Sequence, residues 1–226
     1  MAIQDRIQQI NRRISDAALH CGRGSGSVQL LAVSKTKPAS MVQQAYNSGQ
    51  RHFGENYLQD ALEKIEALPL DGIVWHFIGA IQSNKTRTIA ENFDWVHGVD
   101  RLKIARRLGE QRAADRGPIN ICIQVNSSGE ASKSGVSFSE LPQLADKIAA
   151  LPGVRLRGLM TLPAPSDDFA QQRVPFRQLR EALEQLNQNG LKLDTLSMGM
   201  SGDMEAAITE GATIVRIGTD IFGARS

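Results

Sequence analysis

Short apolar runs alternate with longer amphipathic segments over most of the chain. The runs are rich in Val, Ile and Leu, and such nearly continuous apolar character is typical of parallel strands that are buried on both faces. Gly, Pro or Asn follows many of the amphipathic segments, as expected where helices end. The eight predicted strands span residues 30–34, 52–54, 73–79, 95–99, 119–125, 156–162, 193–199 and 213–218.

The amphipathic segments between these strands are predicted to be helices. Regular alternation of strand and helix is typical of α/β proteins, and eight such units predict a single (β/α)8 TIM barrel. An open doubly wound sheet is the alternative. The predicted helices span residues 40–48, 57–68, 85–92, 101–116, 139–151, 168–189 and 202–210, with an extra N-terminal helix at 2–19.

Composition and charge narrow the class of ligand. The 226 residues include 26 basic and 24 acidic side chains, so the formal net charge is only +2. Because the charges are scattered, nothing favours binding to nucleic acid or to an anionic membrane, and a metabolite-sized ligand remains. TIM barrels use about 200 to 250 residues as one unit. We therefore expect residues 1–226 to form a single domain, and we expect a monomer.

The cysteines and the polar start of the chain bear on its compartment. Cys21 and Cys122 are too far apart for a CxxC motif and too few for a disulfide framework. No apolar run approaches the ~18 residues that a membrane span needs. These features predict a cytoplasmic protein, and we predict neither a cysteine nucleophile nor a metal site.

Polar residues follow the predicted strands at the points where the strands end. In TIM barrels the chemistry gathers at the carboxyl ends of the strands, so these residues are candidates for a binding site. They are Lys35, Glu55, Asn56, Gln82, Ser83, Asn84, Asn126, Ser201 and Thr219.

Lys35 is the candidate with the most specific chemistry. It directly follows an apolar strand, and partial desolvation at the barrel mouth would lower the pKa of its amine, as Schiff-base formation requires. An ordinary lysine that extends to solvent is the alternative interpretation. Lys37 is a competing amine, but it precedes Pro38 and is predicted to lie in an extended loop beyond the strand.

Two segments near the end of the chain are candidates for binding a phosphate. Ser201 and Gly202 precede a predicted helix, while Gly218 and Thr219 follow the eighth strand, where barrels commonly bind phosphate. Helix caps or tight turns are the alternative interpretation. Acidic residues at 203 and 205 oppose the hypothesis, because an inward carboxylate would repel a phosphate.

Arg216 lies inside an apolar run, where an unpaired guanidinium would be costly to bury. It therefore requires a partner. The candidates are the carboxylate of Glu205 or Asp220, or an acceptor on a ligand, such as a ring nitrogen.

Longer motifs surround the strand ends. They are AVSKTKP (32–38), FGENY (53–57), WHFIGAIQSNK (75–85), SGEASKSG (128–135), RGLM (157–160), LSMGMSGDMEAAI (196–208) and VRIGTDIFG (215–223). Together they resemble the signature blocks of the pyridoxal 5′-phosphate homeostasis protein family, in the right order and almost from end to end. Ala80 and Gly202 depart from the family pattern, but neither affects Lys35.

This resemblance implies a fold-type III barrel, similar to the N-terminal domain of alanine racemase, that holds pyridoxal 5′-phosphate as a Schiff base on Lys35. It also implies roles for other residues of this chain. Ser201, Gly218 and Thr219 would hold the phosphate, and Arg216 would face the pyridine nitrogen. Asn56 would border the ring, with His76 and Met200 nearby.

The resemblance favours a carrier that stores, buffers or delivers pyridoxal 5′-phosphate, with apo-enzymes that need it as possible recipients. A cation at the pyridine nitrogen weakens the ring as an electron sink. We also expect no second domain to supply a second base, and Tyr46 and Tyr57 fall in or beside predicted helices. The alternatives are a pyridoxal-phosphate-dependent amino-acid racemase and a phosphosugar aldolase that uses Lys35.

Overall fold

Eight parallel strands form a closed barrel in a computed structural model that describes residues 1–129 and 134–224. The strands pair in chain order, and β1 pairs with β8 to close the barrel. The predicted (β/α)8 barrel is confirmed, and closure excludes the open sheet. The strands are β1 Gln29–Val33, β2 His52–Glu55, β3 Val74–Phe77, β4 Trp95–Val99, β5 Ile119–Gln124, β6 Val154–Met160, β7 Thr195–Ser197 and β8 Ile214–Ile217.

Helices surround the barrel and connect successive strands. The helix predicted at 101–116 is shorter than expected, because the chain leaves the helix after Glu110 and forms a separate 3₁₀ turn at Ala114–Arg116. A short helix after β8 was not predicted. The helices are α1 Ile3–His20, α2 Ala39–Asn47, α3 Leu58–Ala67, α4 Thr86–Asn92, α5 Leu102–Glu110, α6 Leu141–Ala149, α7 Phe169–Gln188, α8 Met204–Thr209 and α9 Thr219–Phe222.

The extra N-terminal helix packs along the outside of the last βα units. Its buried residues recur at helical spacing, which gives α1 one apolar face. That face packs against α8 and α9, and Arg13 bonds to Glu205 of α8 at 2.8 Å and to Asp220 of α9 at 3.3 Å. Helix α1 therefore holds the outer side of the segment that follows β7 and β8. Its buried residues are Ile3, Ile7, Ile10, Ile14 and Ala18.

The RGLM motif contains a glycine that the barrel requires. A Cβ atom on Gly158 would lie 1.8 Å from the carbonyl oxygen of Thr195, so only glycine lets β6 approach β7 this closely. The motif at 128–135 is only partly visible, because residues 130–133 lie outside the described residues. No helix in the described ranges is both long enough and apolar enough to cross a membrane.

Candidate cofactor-binding site

A cavity of about 310 Å³ opens at the carboxyl ends of the barrel strands. Its walls come from the carboxyl ends of β1, β2, β3, β6, β7 and β8 and the segments that follow them, so residues far apart in the chain meet there. Most of the predicted site residues line it. They are Lys35, Asn56, Met200, Ser201, Arg216, Gly218 and Thr219.

His76 is the predicted site residue that does not line this cavity. It lies within β3 and is only 1% exposed, with its ring in the barrel interior. His76 was implied by the family resemblance; the strand-end pattern, a polar residue directly after a strand, separately pointed to five residues that do not line the cavity. These are Glu55, Gln82, Ser83, Asn84 and Asn126.

The turn that carries Lys35 is held by a buried ion-pair cluster. The ammonium of Lys64 donates to the carbonyl oxygen of Ser34 at 2.7 Å, to Glu55 at 2.8 Å and to Asp60 at 2.9 Å. Asp60 also accepts the backbone N–H of Thr36 at 3.0 Å. The two residues that flank Lys35 are therefore both fixed by this cluster.

Thr36 explains why the turn needs such support. Its φ of 62° is in the left-handed region, which is unfavourable for a β-branched residue. Such strain costs on the order of 1–3 kcal/mol and persists only where the surroundings enforce it. Burial raises the pKa of the Glu55 carboxyl, while the charge of Lys64 opposes that shift. Glu55, which was predicted as a strand-end site residue, instead accepts hydrogen bonds from Lys64 and from the hydroxyl of Ser34 and so stabilises the turn.

Lys37, the competing amine, also lines the cavity. Its ammonium donates to the carbonyl oxygen of Ala224 at 2.6 Å, which ties it to the end of the described chain. Lys35 and Lys37 thus lie on the same cavity wall, on either side of the strained Thr36.

Two hydroxyl groups that line the cavity suit an anion. Ser201 lies in the turn before α8, and Thr219 is the first residue of α9. Neither side-chain hydroxyl hydrogen-bonds to another residue within ranges 1–129 and 134–224. The expected alternative, a cap, does not apply to Ser201, because the N-cap residue of α8 is Asp203. Both hydroxyls can therefore bond to a ligand.

The two acidic residues that opposed a phosphate site have other partners. Glu205 binds Arg13 on the outside of the barrel. Asp203 accepts the backbone N–H of Met200 at 2.6 Å, and burial raises the pKa of its carboxyl. Glu205 therefore does not point into the cavity, and Asp203 is engaged in closing the turn that presents Ser201.

Arg216 is 4% exposed and reaches the cavity from β8. It donates to the hydroxyl of Ser197 at 2.8 Å and to the carbonyl oxygen of Thr161 at 2.8 Å. The predicted carboxylate partners were wrong, because Glu205 and Asp220 both bind Arg13 instead. Burial lowers the pKa of the guanidinium to about 10, so the group is still a cation at neutral pH.

The amide oxygen of Asn56 is a further group without a partner. The atom is buried on the cavity side of β2 and accepts no hydrogen bond from the described residues. A buried acceptor without a partner is costly unless a ligand satisfies it. Asn56 thus offers the cavity an acceptor that a ligand could satisfy.

Sequence reasoning missed the apolar part of the wall. Met160 and Leu162 lie at the carboxyl end of the predicted sixth strand, so the strand-end rule could have identified them. They were missed because the rule was applied to polar residues alone. Ile78 follows β3 in the same way. The missed lining residues are Val33, Thr36, Ile78, Met160, Leu162 and Gly223.

Comparisons with known proteins agree with this arrangement. A family model described as alanine racemase, N-terminal domain, matches residues 6–226. A relative from Pseudomonas aeruginosa, named pyridoxal phosphate homeostasis protein, is 59% identical over 226 residues, covering 99% of this chain and 96% of the relative. A relative of the same name from Escherichia coli K12 is 52% identical, and the match covers 99% of this chain and 97% of the relative.

Solved structures extend the comparison to the fold. PipY of Synechococcus elongatus, with pyridoxal phosphate bound, has a TM-score of 0.86 at 36% identity, covering 98% of this chain and 100% of PipY. Alanine racemase from Corynebacterium glutamicum has a TM-score of 0.72 at 21% identity; it covers 98% of this chain but only 61% of the racemase, and supports the fold alone. The chain therefore belongs to the alanine racemase N-terminal domain family and, within it, to the pyridoxal phosphate homeostasis proteins.

Proposed function

We propose that this protein binds pyridoxal 5′-phosphate in the cavity at the barrel mouth and serves its homeostasis by storing, buffering or delivering it. The observation that carries the proposal is the set of polar groups that line this one cavity. An amine, an orphaned amide oxygen, two hydroxyls and a guanidinium meet there, and they come from four different strand ends. The names of the relatives and the ligand of PipY support the same function.

Each part of this ligand has a matching group in the cavity. When bound, pyridoxal 5′-phosphate supplies an aldehyde that reacts with primary amines and a phosphate that carries about two negative charges. Lys35 offers the amine. Ser201 and Thr219 offer hydroxyl donors for the phosphate. Gly218 lines the cavity beside them and packs closely on β1, since a Cβ there would meet the carbonyl oxygen of Val33 at 3.1 Å.

Arg216 favours a carrier over an enzyme. Its guanidinium is buried and positively charged, and a cation beside the pyridine nitrogen opposes protonation of that nitrogen. Without that proton the ring is a weak electron sink, and racemisation of a bound amino acid would then require two well-placed bases. We therefore propose that residues 1–226 act as one ligand-binding domain that is not an enzyme.

The tyrosines support the same proposal. A racemase needs a base on each face of the substrate. Tyr46 donates its hydroxyl to the carbonyl oxygen of Asp71, and Tyr57 is 52% exposed. Neither lines the cavity in the described part of the chain.

Apo-enzymes that require pyridoxal 5′-phosphate are the recipients we propose for the carrier.

The test is to titrate the purified protein with pyridoxal 5′-phosphate and record the visible spectrum before and after borohydride, followed by mapping of the modified lysine. We expect one bound ligand per chain, attached at Lys35 after reduction. A parallel assay follows conversion of L- and D-amino acids by the loaded protein. Absence of binding would overturn the proposed function, and rapid racemisation would replace the carrier with an enzyme.

A further inference from the structure

Three histidine rings form a continuous hydrogen-bonded row across the barrel interior to Arg216. His52 Nδ1 lies 3.0 Å from His76 Nε2, and His76 Nδ1 lies 2.9 Å from His97 Nε2. His97 Nδ1 lies 2.7 Å from the Oγ of Ser197, which accepts the Arg216 guanidinium at 2.8 Å. We call these five residues the histidine chain. Nothing in the proposed function accounts for the three imidazoles.

The direction of every hydrogen bond in the histidine chain follows from its end at Arg216. A guanidinium can only donate, so Ser197 Oγ must accept from it. Within the described residues, that hydroxyl bonds otherwise only to His97, so its own proton goes to His97 Nδ1. A neutral imidazole that accepts at Nδ1 carries its proton on Nε2.

The same rule then passes along the row. His97 donates from Nε2 to Nδ1 of His76, which must carry its own proton on Nε2 and donate to Nδ1 of His52. The inner rings remain neutral, because burial lowers the pKa of His97 to about 3 and lowers that of His76 well below its usual value. His76 also stacks on Trp95, with ring centroids 5.5 Å apart, which restrains its ring against rotation.

We propose that the histidine chain is polarised in one direction, from Arg216 to His52, and that Ser197, His97 and His76 act as positioning residues for the Arg216 guanidinium. Each aligned imidazole turns its acceptor nitrogen towards the buried cation and its N–H away from it. Aligned hydrogen bonds strengthen one another in a low-dielectric interior. The chain therefore stabilises and orients a cation that has no direct carboxylate partner among the described residues.

This arrangement also explains how Arg216 can face a ligand. One terminal nitrogen is held by Ser197 and the other by the carbonyl oxygen of Thr161. Of the five N–H groups of a guanidinium, two are used in these bonds, so this cavity-lining residue keeps further donors that a ligand can accept from. A metal site is not an alternative use of the imidazoles, because no cluster of potential metal ligands occurs within the described ranges.

The first test needs neither a ligand nor a variant. Long-range ¹H–¹⁵N spectra of the histidine side chains in the ligand-free protein report which ring nitrogen carries the proton. We expect the Nε2–H tautomer at His52, His76 and His97, with exposed His20 as an internal reference for a solvated ring. An Nδ1–H tautomer at His97 or His76, or a charged ring at neutral pH, would overturn the proposal.

The second test breaks the chain at its junction with Arg216. Ser197→Ala removes the donor to His97 and the acceptor of the guanidinium, so His97 should lose its single tautomer in the ligand-free protein. Ser197→Thr keeps the hydroxyl and should restore the Nε2–H form. Unchanged His97 spectra in folded Ser197→Ala would refute the polarised chain.

A ligand-side measurement rests on the proposed function, because it requires pyridoxal 5′-phosphate to lie against Arg216. In Ser197→Ala we expect binding to weaken by about tenfold, as for one charge-assisted hydrogen bond, and the pH midpoint of the bound ligand's absorption band to shift. Ser197→Thr should restore both. Failure of the wild-type protein to bind would refute the proposed function and leave the tautomer result standing, whereas normal binding with an unshifted midpoint in Ser197→Ala would refute positioning.

Discussion

The ammonium of Lys64 donates a 2.7 Å hydrogen bond to the carbonyl oxygen of Ser34, the residue before Lys35. Through Asp60, the same ammonium is linked to the backbone N–H of Thr36, the residue after it. Lys64 is buried and does not line the cavity, but it holds both residues that flank the cavity-lining Lys35. The strained φ of Thr36 is maintained by this cluster.

Lys64→Met should be strongly destabilising. Lys64 and Glu55 are 3% and 0% exposed, and removal of one partner leaves the other as an uncompensated buried group. Breaking such a pair costs about 3–5 kcal/mol. Urea unfolding of the two proteins measures the difference in free energy of unfolding.

Two further variants separate the ion pair from the loss of a lysine. Lys147→Met removes an exposed lysine from α6 and should change stability by no more than about 0.5 kcal/mol. The double variant Lys64→Met/Glu55→Gln should recover part of the loss, because no buried charge remains. Equal destabilisation by Lys64→Met and Lys147→Met would show that the cluster contributes nothing.

Lys35→Ala should abolish the covalent attachment of pyridoxal 5′-phosphate while the barrel stays folded. The lysine is only half-buried and lines the cavity at the barrel mouth, outside the packed core, so the barrel should not depend on it. The measurement is the visible absorption of the loaded protein, with the modified residue mapped after borohydride reduction. Lys37→Ala is the matched control, and loss of attachment in that variant instead would reassign the amine.

Ser201→Ala and Thr219→Val should each weaken binding of pyridoxal 5′-phosphate by about ten- to a hundredfold, since a hydrogen bond to a charged group contributes about 1.5–3 kcal/mol. The folded protein should be unaffected, because neither hydroxyl bonds to another residue in the described part of the chain. Titration with unphosphorylated pyridoxal is the control and should change little. Equal weakening for both ligands would show that these hydroxyls do not contact the phosphate.

Stability should fall as the pH drops below about 6.5, because His97 is buried as a neutral ring. Burial, with the charge of Arg216 second, lowers its pKa from 6.5 to about 3. Between these values the unfolded chain binds a proton that the folded protein does not, so acid favours unfolding. From pH 7 to pH 5 the loss is about 2 kcal/mol for this ring, and buried His76 adds to it in the same direction.

Denaturant titrations at pH 7 and pH 5 check this dependence. His97→Asn should reduce the difference in unfolding free energy between the two pH values, whatever its effect on stability at pH 7. His20→Gln changes an exposed histidine and should leave the difference as in wild type. A wild-type protein that is equally stable at both values would contradict the buried neutral rings.

Arg216→Glu should strengthen the electron-sink character of the bound ring. A carboxylate beside the pyridine nitrogen favours its protonation, where the guanidinium opposes it. In deuterated water we expect faster α-proton exchange of an added amino acid than in wild type, with racemisation still slow. Folding is checked first by circular dichroism, with Arg216→Gln as the uncharged control; an unchanged exchange rate in a folded Glu variant would show that Arg216 does not face the ring.

The sequence alone was sufficient for the barrel and for much of the cavity wall. Buried parallel strands appear as apolar runs whatever they pair with, so eight of them separated by helical periods determined the topology. The rule that chemistry lies at strand ends then placed Lys35, Asn56, Ser201 and Thr219 at the barrel mouth, and all four line the cavity. Both inferences use only local pattern and chain order.

Partners across the molecule were decided only by the tertiary structure. Glu205 and Asp220 looked available to Arg216, but they bind Arg13, about 190 to 210 residues earlier, because α1 packs outside α8 and α9. His76 belongs to the interior row because its side chain points inward from the middle of a strand. The position of an acceptor along the chain does not tell which donor lies within about 3 Å of it. The packing of the helices and strands sets those distances, and so it decides which groups pair.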